Sequence, residues 1–182
     1  MRVSFALTVL AAGVAAGAPL PPREDYQKKA DEAPWSWSEE RATPEGAAKQ
    51  LPARYAAEVE RQGTWGEATI RLLKDGNIVH HFAGHFRTVF AVRDDVLYYA
   101  DFGPSSSGCA VVAYDLRKQK RLWRAPLKGL GGVDHSKYRN AVNLSLEKYA
   151  VCVRGQESAG NYIEFVDLKS GKTVGHKVYP RK

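Results

Sequence analysis

The segment HHFAGH offers the first residues to weigh for chemistry. It places His80, His81 and His85 within six positions, with His81 and His85 four apart. On a helix, that spacing points two imidazoles at one metal ion. This segment reads as a strand and turn, where the spacing loses that meaning. No H-E-x-x-H and no clustered cysteine accompanies it. His81 and His85 are therefore weak metal candidates, and the reading preferred is histidines on the polar face of a strand. His135 and His176 stand alone.

Ser105, Ser106 and Ser107 lack the G-x-S-x-G context of an activated serine. Asp94-Asp95, Asp101 and Glu157 read as turn acids near hairpin tips, with nothing resembling a calcium loop. The densest mix of hydrogen-bonding side chains is VDHSKYRN, with Asp134, His135, Tyr138, Arg139 and Asn140. Loops of this kind carry ligands more often than cores do. That loop and GQESAG, with Glu157, are the first candidates for a binding surface. Glu164 in YIEFV is a carboxylate among apolar neighbours, so it must be paired or exposed. Exposure at a sheet edge is the expectation, a pair with Arg154 the alternative, and a binding role is retained among the candidates. No catalytic residue and no cofactor is assigned.

These residues must be positioned by strands. From Trp65 onward, short runs rich in Val, Ile, Tyr and Phe alternate with the turns KDGN, RDD, GPSSSG, RKQK, GQESAG and KSGK. Strands are expected near 66–73, 77–83, 86–92, 96–102, 109–115, 121–126, 141–146, 149–154, 161–167 and 172–178. LKGLGGVDHSKYRN interrupts them as a long loop. The fold class is mainly β, built of antiparallel hairpin repeats, with a short N-terminal helical segment.

Ahead of the β-repeat region (64–182) lie three shorter parts. Residues 1–16, with Arg2, the apolar run Val3–Val14 and small residues after it, have the pattern of a signal peptide cut before Gly17. Residues 17–43 are rich in Pro and charge and read as an extended leader. Its Trp35 and Trp37 are expected to tuck over the domain's own surface. Residues 44–63 read as short helices, one opened by Thr43-Pro44 and another at Pro52, with Tyr55 and Val59 on one face.

A 52-residue shift lays residues 96–123 on 148–175. Gly108 meets Gly160, Val111 meets Ile163, and Asp115-Leu116 meets Asp167-Leu168. A partial third copy lies at 69–82. AYDLRKQKRLW (Ala113 to Trp123) resembles the A-x-D-x-x-T-G-x-x-x-W signature of PQQ-like β-propeller repeats, the blades of quinoproteins and related assembly proteins. FVDLKSGKTVG (Phe165 to Gly175) keeps the Asp and a Ser-Gly turn but has Gly175 in place of the Trp. The resemblance implies structural roles. The Asp accepts turn N–H groups, the Gly takes positive φ, and Trp123 packs between blades. Two to two and a half blades cannot close the family's ring, so no central quinone cofactor is expected. Exposed strand edges would then be covered, charged or used for oligomers. Whether Cys109 and Cys152 pair is left open; like-facing repeats in a blade stack would keep them apart.

The 27 Lys and Arg against 20 Asp and Glu give a net charge of +7, and loss of Arg2 with the signal peptide leaves +6. A basic surface favours anionic partners, and export disfavours nucleic acid. No segment after the signal reads as a membrane span. The expectation is a secreted, periplasmic or cell-envelope non-catalytic repeat module that binds a protein or glycan. The alternative is a small secreted hydrolase or metal-dependent enzyme using His80, His81 and His85 or the 134–140 loop.

Overall fold

A computed structural model describes residues 24–63, 66–102, 109–130, 140–157 and 159–180. Asp134, His135, Tyr138 and Arg139 lie outside the described residues, as do the signal segment and Ser105–Ser107. The described chain forms three antiparallel sheets, each a meander of consecutive strands. Sheet 1 holds β1 (Tyr55–Gln62), β2 (Glu67–Lys74) and β3 (Asn77–His85). Sheet 2 holds β4 (Phe90–Arg93), β5 (Val96–Asp101), β6 (Ala110–Asp115) and β7 (Lys120–Pro126). Sheet 3 holds β8 (Ala141–Leu146), β9 (Ala150–Glu157), β10 (Gly160–Asp167) and β11 (Thr173–Pro180).

Sheet 2 lies between the other two. Its residues Phe90 and Tyr99 meet Phe82 of β3, with ring centroids 6.1 and 4.6 Å apart, and Tyr114 stacks on His80 at 4.0 Å. Side chains alternate along a strand, so Tyr98, Ala100, Val111 and Ala113 turn the other way. They share one apolar core with Val151, Val153, Tyr162 and Val166 of sheet 3. The opposite face of sheet 3, with Ala150, Cys152, Ile163 and Phe165, packs on an N-terminal helix. Val111 therefore faces sheet 3 while its repeat counterpart Ile163 faces away from sheet 2. The two repeated sheets stack front to back. The cysteines follow from this: Cys109 sits in the core between sheets 2 and 3, Cys152 sits beneath the helix, and both are free and buried.

The repeat turns are held by their aspartates. Asp115 Oδ1 accepts from the N–H groups of Arg117 and Lys118 at 3.0 and 2.9 Å. Asp167 Oδ1 accepts from Ser170 N–H and Ser170 Oγ at 2.8 and 2.7 Å. Gly171 closes its turn at φ +68°, and its counterpart Gln119 takes φ +49°, a conformation that costs a side chain about 1 kcal/mol.

Two expectations for the N-terminal part are corrected. Residues 55–62 form strand β1, paired along its length with β2 from Tyr55↔Lys74 to Gln62↔Glu67. Tyr55 and Val59 do share a face, but residues four apart share a face on a strand as well as on a helix. Helix α2 is only Pro44–Ala48, capped by Thr43 Oγ1, which accepts from Gly46 N–H at 3.1 Å. The leader is not simply extended, because Tyr26–Glu32 forms helix α1, capped by Asp25.

Helix α1 covers the outer edge of sheet 3. The Gln27 side-chain amide donates to His176 C=O at 3.0 Å and accepts from His176 N–H at 3.2 Å. One glutamine thus supplies both bonds that a neighbouring strand would make. Tyr26 buries its ring against Phe165 at 5.1 Å, and its hydroxyl accepts from Tyr149 N–H at 3.0 Å. Burial pushes the Tyr26 phenol up to about 12. Trp35 packs on Tyr179 and Trp37, so the tryptophan pair does lie against the domain. Further along, Ser38 exchanges two hydrogen bonds with the Asn143 amide at 3.2 and 3.1 Å.

Candidate functional site

The β4–β5 hairpin turns on Asp94 and Asp95, with φ +52° and +59°. Two consecutive left-handed residues make the turn whose twist matches paired strands, and aspartate tolerates that region better than most side chains. The turn delivers the Asp95 carboxylate into a junction of elements. Tyr55 and Lys74, paired across β1 and β2, both donate to Asp95 Oδ1. Arg117, from the β6–β7 turn, donates through Nε to Oδ2 at 2.6 Å. Beside them Arg54 pairs with Asp75, its Nε and Nη2 lying 3.1 and 2.5 Å from the carboxylate oxygens. Arg93 reaches sheet 3, donating to the carbonyls of Glu147 and Leu146 at 2.5 and 2.8 Å.

These side chains line an open cleft of about 590 Å3 where the strand ends of all three sheets meet. Lys74, then Tyr55 and Arg117, hold the Asp95 carboxyl well below the usual carboxylate range, and Asp95 in turn raises Lys74 and Arg117. Burial, helped by Asp95, raises the Tyr55 phenol. Asp95 is thus an anion at neutral pH with its acceptors engaged, unsuited to take a proton from a substrate. It serves as the post around which the cations are set. The side chains of Arg54 and Arg117 are 68% and 80% exposed, so their remaining N–H groups face solvent. The cleft can bind anionic or hydroxyl-rich groups; it shows no nucleophile paired with a base.

The residues singled out from sequence do not gather here. His80 is half-buried against Tyr114, and burial lowers its pKa; His81 is exposed on β3. His85 is buried beside Phe86 and Phe102, near a smaller cleft of about 210 Å3 between β3 and β5. Among the described residues, no group of three or more His, Cys, Asp or Glu could hold a metal ion. Glu157 and Asn140 are buried at strand ends rather than displayed on loops.

The expectation for Glu164 is overturned. It is fully buried, on the face of β10 shared with Tyr162 and Val166 that meets sheet 2. Its Oε2 accepts from Lys128 N–H at 2.8 Å and its Oε1 accepts from Thr173 Oγ1 at 2.6 Å. Its registered neighbour on β11, His176, brings Nε2 to 2.7 Å from Gly129 C=O. Together they clamp the exit of β7 to sheet 3. Alternation along the strand placed Glu164 with Tyr162 and Val166; that another layer covers this face is a tertiary fact. Arg54, Tyr55, Lys74, Arg93 and Arg117 carried no sequence signal as a group, because four separate segments supply them. The turns KDGN, RDD and RKQK, which carry Lys74, Asp95 and Arg117, were the visible traces.

No helix among the described residues is long and apolar enough to cross a membrane. Compared with known proteins, the chain matches no family model, and no curated protein matches it.

Proposed function

We propose that this chain is an exported, non-catalytic β-module that binds a protein or glycan partner through the polar cleft around Asp95. The observation that carries this reading is the cleft itself: Lys74 and Arg117 hold one engaged carboxylate, and Arg54 and Arg93 line the same space where three sheets converge. A prearranged set of charged donors costs little to order on binding, and a basic chain draws anionic partners. The signal-like residues 1–16 support export. The aspartate-held turns, and the indole of Trp123 lying against the turn of sheet 3, support reading the sheets as PQQ-like blades put to structural use.

The test is a glycan array and a pull-down from envelope extract, each run with wild type and an Arg54→Ala/Arg117→Ala double variant. Binding lost in the variant, with an unchanged far-UV spectrum, supports the reading. Equal capture by both proteins, or stoichiometric zinc in the purified protein, overturns it. N-terminal sequencing of the exported protein, expected to begin at Gly17, tests the export step.

A further inference from the structure

Sheets 2 and 3 each hold four strands and sheet 1 holds three. The contacts locate the missing position. Phe82 and His80 set β3 over β5 and β6, so nothing from sheet 1 lies over β7 among the described residues. Trp123 and Ala125 of β7 turn toward sheet 3. Arg121 and Arg124 pair in register with Tyr114 and Val112, whose side chains face sheet 1, and both arginines are exposed. Leu122, the extra residue of the bulge opposite Tyr114, is 44% exposed. On β3, Ile78 pairs in register with Leu73 on the outer face of sheet 1 and is 58% exposed. These are two of the three large apolar side chains most exposed among the described residues.

The outer edge of β3 also lacks the usual protection. Proteins blunt free edges with charge, proline or a covering element. Edge strand β1 carries Glu58, Glu60 and Arg61; β7 carries Lys120, Arg121 and Arg124; β11 is covered by α1. β3, with nine residues from Asn77 to His85, contains no Lys, Arg, Asp, Glu or Pro and pairs only with β2 among the described residues.

We infer that β3 accepts an extended segment of a partner protein as the fourth strand of sheet 1. Backbone bonds to β3 supply affinity, and alternate side chains read the surface beneath. On one side that surface is β7, whose Arg121 and Arg124 call for carboxylates; on the other side the added strand runs beside Ile78 of β3, which calls for apolar residues. Arg124 already pairs with Asp101 at 3.1 Å, whereas Arg121 has no carboxylate partner among the described residues. The occupant is therefore a strand alternating acidic with apolar residues. The proposal does not depend on the polar cleft.

Fluorescence anisotropy with labelled peptides of about eight residues tests it on the full mature chain. An alternating Glu/Val peptide is expected to bind saturably. The same peptide N-methylated at alternate amides, which removes strand pairing, is expected to bind at least about tenfold more weakly. Arg121→Glu should weaken the Glu/Val peptide by a similar factor and favour a Lys/Val peptide; Arg54→Ala should leave binding unchanged, separating this surface from the cleft. No binding, equal binding of the N-methylated peptide, or indifference to Arg121→Glu overturns the proposal. So does a wild-type dimer that Ile78→Lys converts to monomer, since a second copy would then own the edge.

Discussion

The indole N–H of Trp123 donates to the carbonyl of Leu168 at 3.0 Å, and its ring lies against Gly171 of the same turn. An outer-strand residue of sheet 2 thus fastens the repeat turn of sheet 3. A Cβ on Gly171 would come within 2.8 Å of the ring, so the glycine answers both to its positive φ and to its neighbour.

Substitutions at this contact should separate its parts. Trp123→Phe keeps most of the apolar area and loses the hydrogen bond, an expected cost of about 1 kcal/mol. Gly171→Ala combines left-handed strain with the ring contact and should cost about 2 kcal/mol. In the other repeat Gln119→Gly relieves the same strain and should stabilise by about 0.5–1 kcal/mol. Urea unfolding of the three variants measures these values; a destabilising Gln119→Gly would contradict the account of that turn.

Gly175, the counterpart of Trp123 under the 52-residue shift, lies beneath α1. A Cβ there would lie 2.2 Å from the Tyr26 carbonyl oxygen. Gly175→Ala is expected to lift α1 and expose the edge of β11. Hydrogen exchange should show faster exchange at His176 N–H and across 26–33, with β4–β7 unchanged. Gln27→Ala should give a weaker version of the same pattern.

Glu164 should matter to folding. Glu164→Ala leaves the Lys128 N–H without its acceptor in a buried site and opens a cavity, an expected loss of about 3 kcal/mol. Glu164→Gln keeps one acceptor oxygen and should cost less than half as much. Denaturant titration of both variants checks the ordering.

Acid should act in two stages. His80 has a depressed pKa, so the folded state favours its neutral form. That contribution is present above the ordinary histidine value and fades as pH falls below about 6.5. Asp95 is depressed as well, and its contribution persists until pH falls below about 4, where the unfolded chain takes up the proton first. Asp95→Asn should shrink the second stage, to which Asp75 and Asp115 also contribute, and leave the first; His80→Phe should shrink the first and leave the second. Thermal midpoints measured from pH 8 to pH 3 report both.

Much of the β architecture is legible in the residues. The turns KDGN, RDD and KSGK carry the Asp and Gly that left-handed positions need, and the strands between them lie within a few residues of the observed bounds. Strand β1 escaped because Ala56 breaks the alternation of Tyr55, Ala57 and Val59 with polar residues, leaving too short a span to exclude a helix. Helix α1 escaped because it buries only Tyr26 and Ala30, too small an apolar stripe to stand out in a charged leader. The polar cleft joins residues from Arg54 to Arg117, and no local pattern announces an ion network that only layer stacking assembles.

The helix over β11 also constrains when this molecule can finish folding. Gln27 bonds to a strand 149 residues downstream, so helix α1 finds its place only after β11 has been synthesised. Sheets 1 and 2 can form as they emerge, since their pairings are local. Sheet 3 must wait with Phe165 and Cys152 uncovered until α1 packs against it. Truncation or premature termination before Thr173 would thus strand the N-terminal helix as well as the C-terminal strand, and expose apolar surface for chaperones to find.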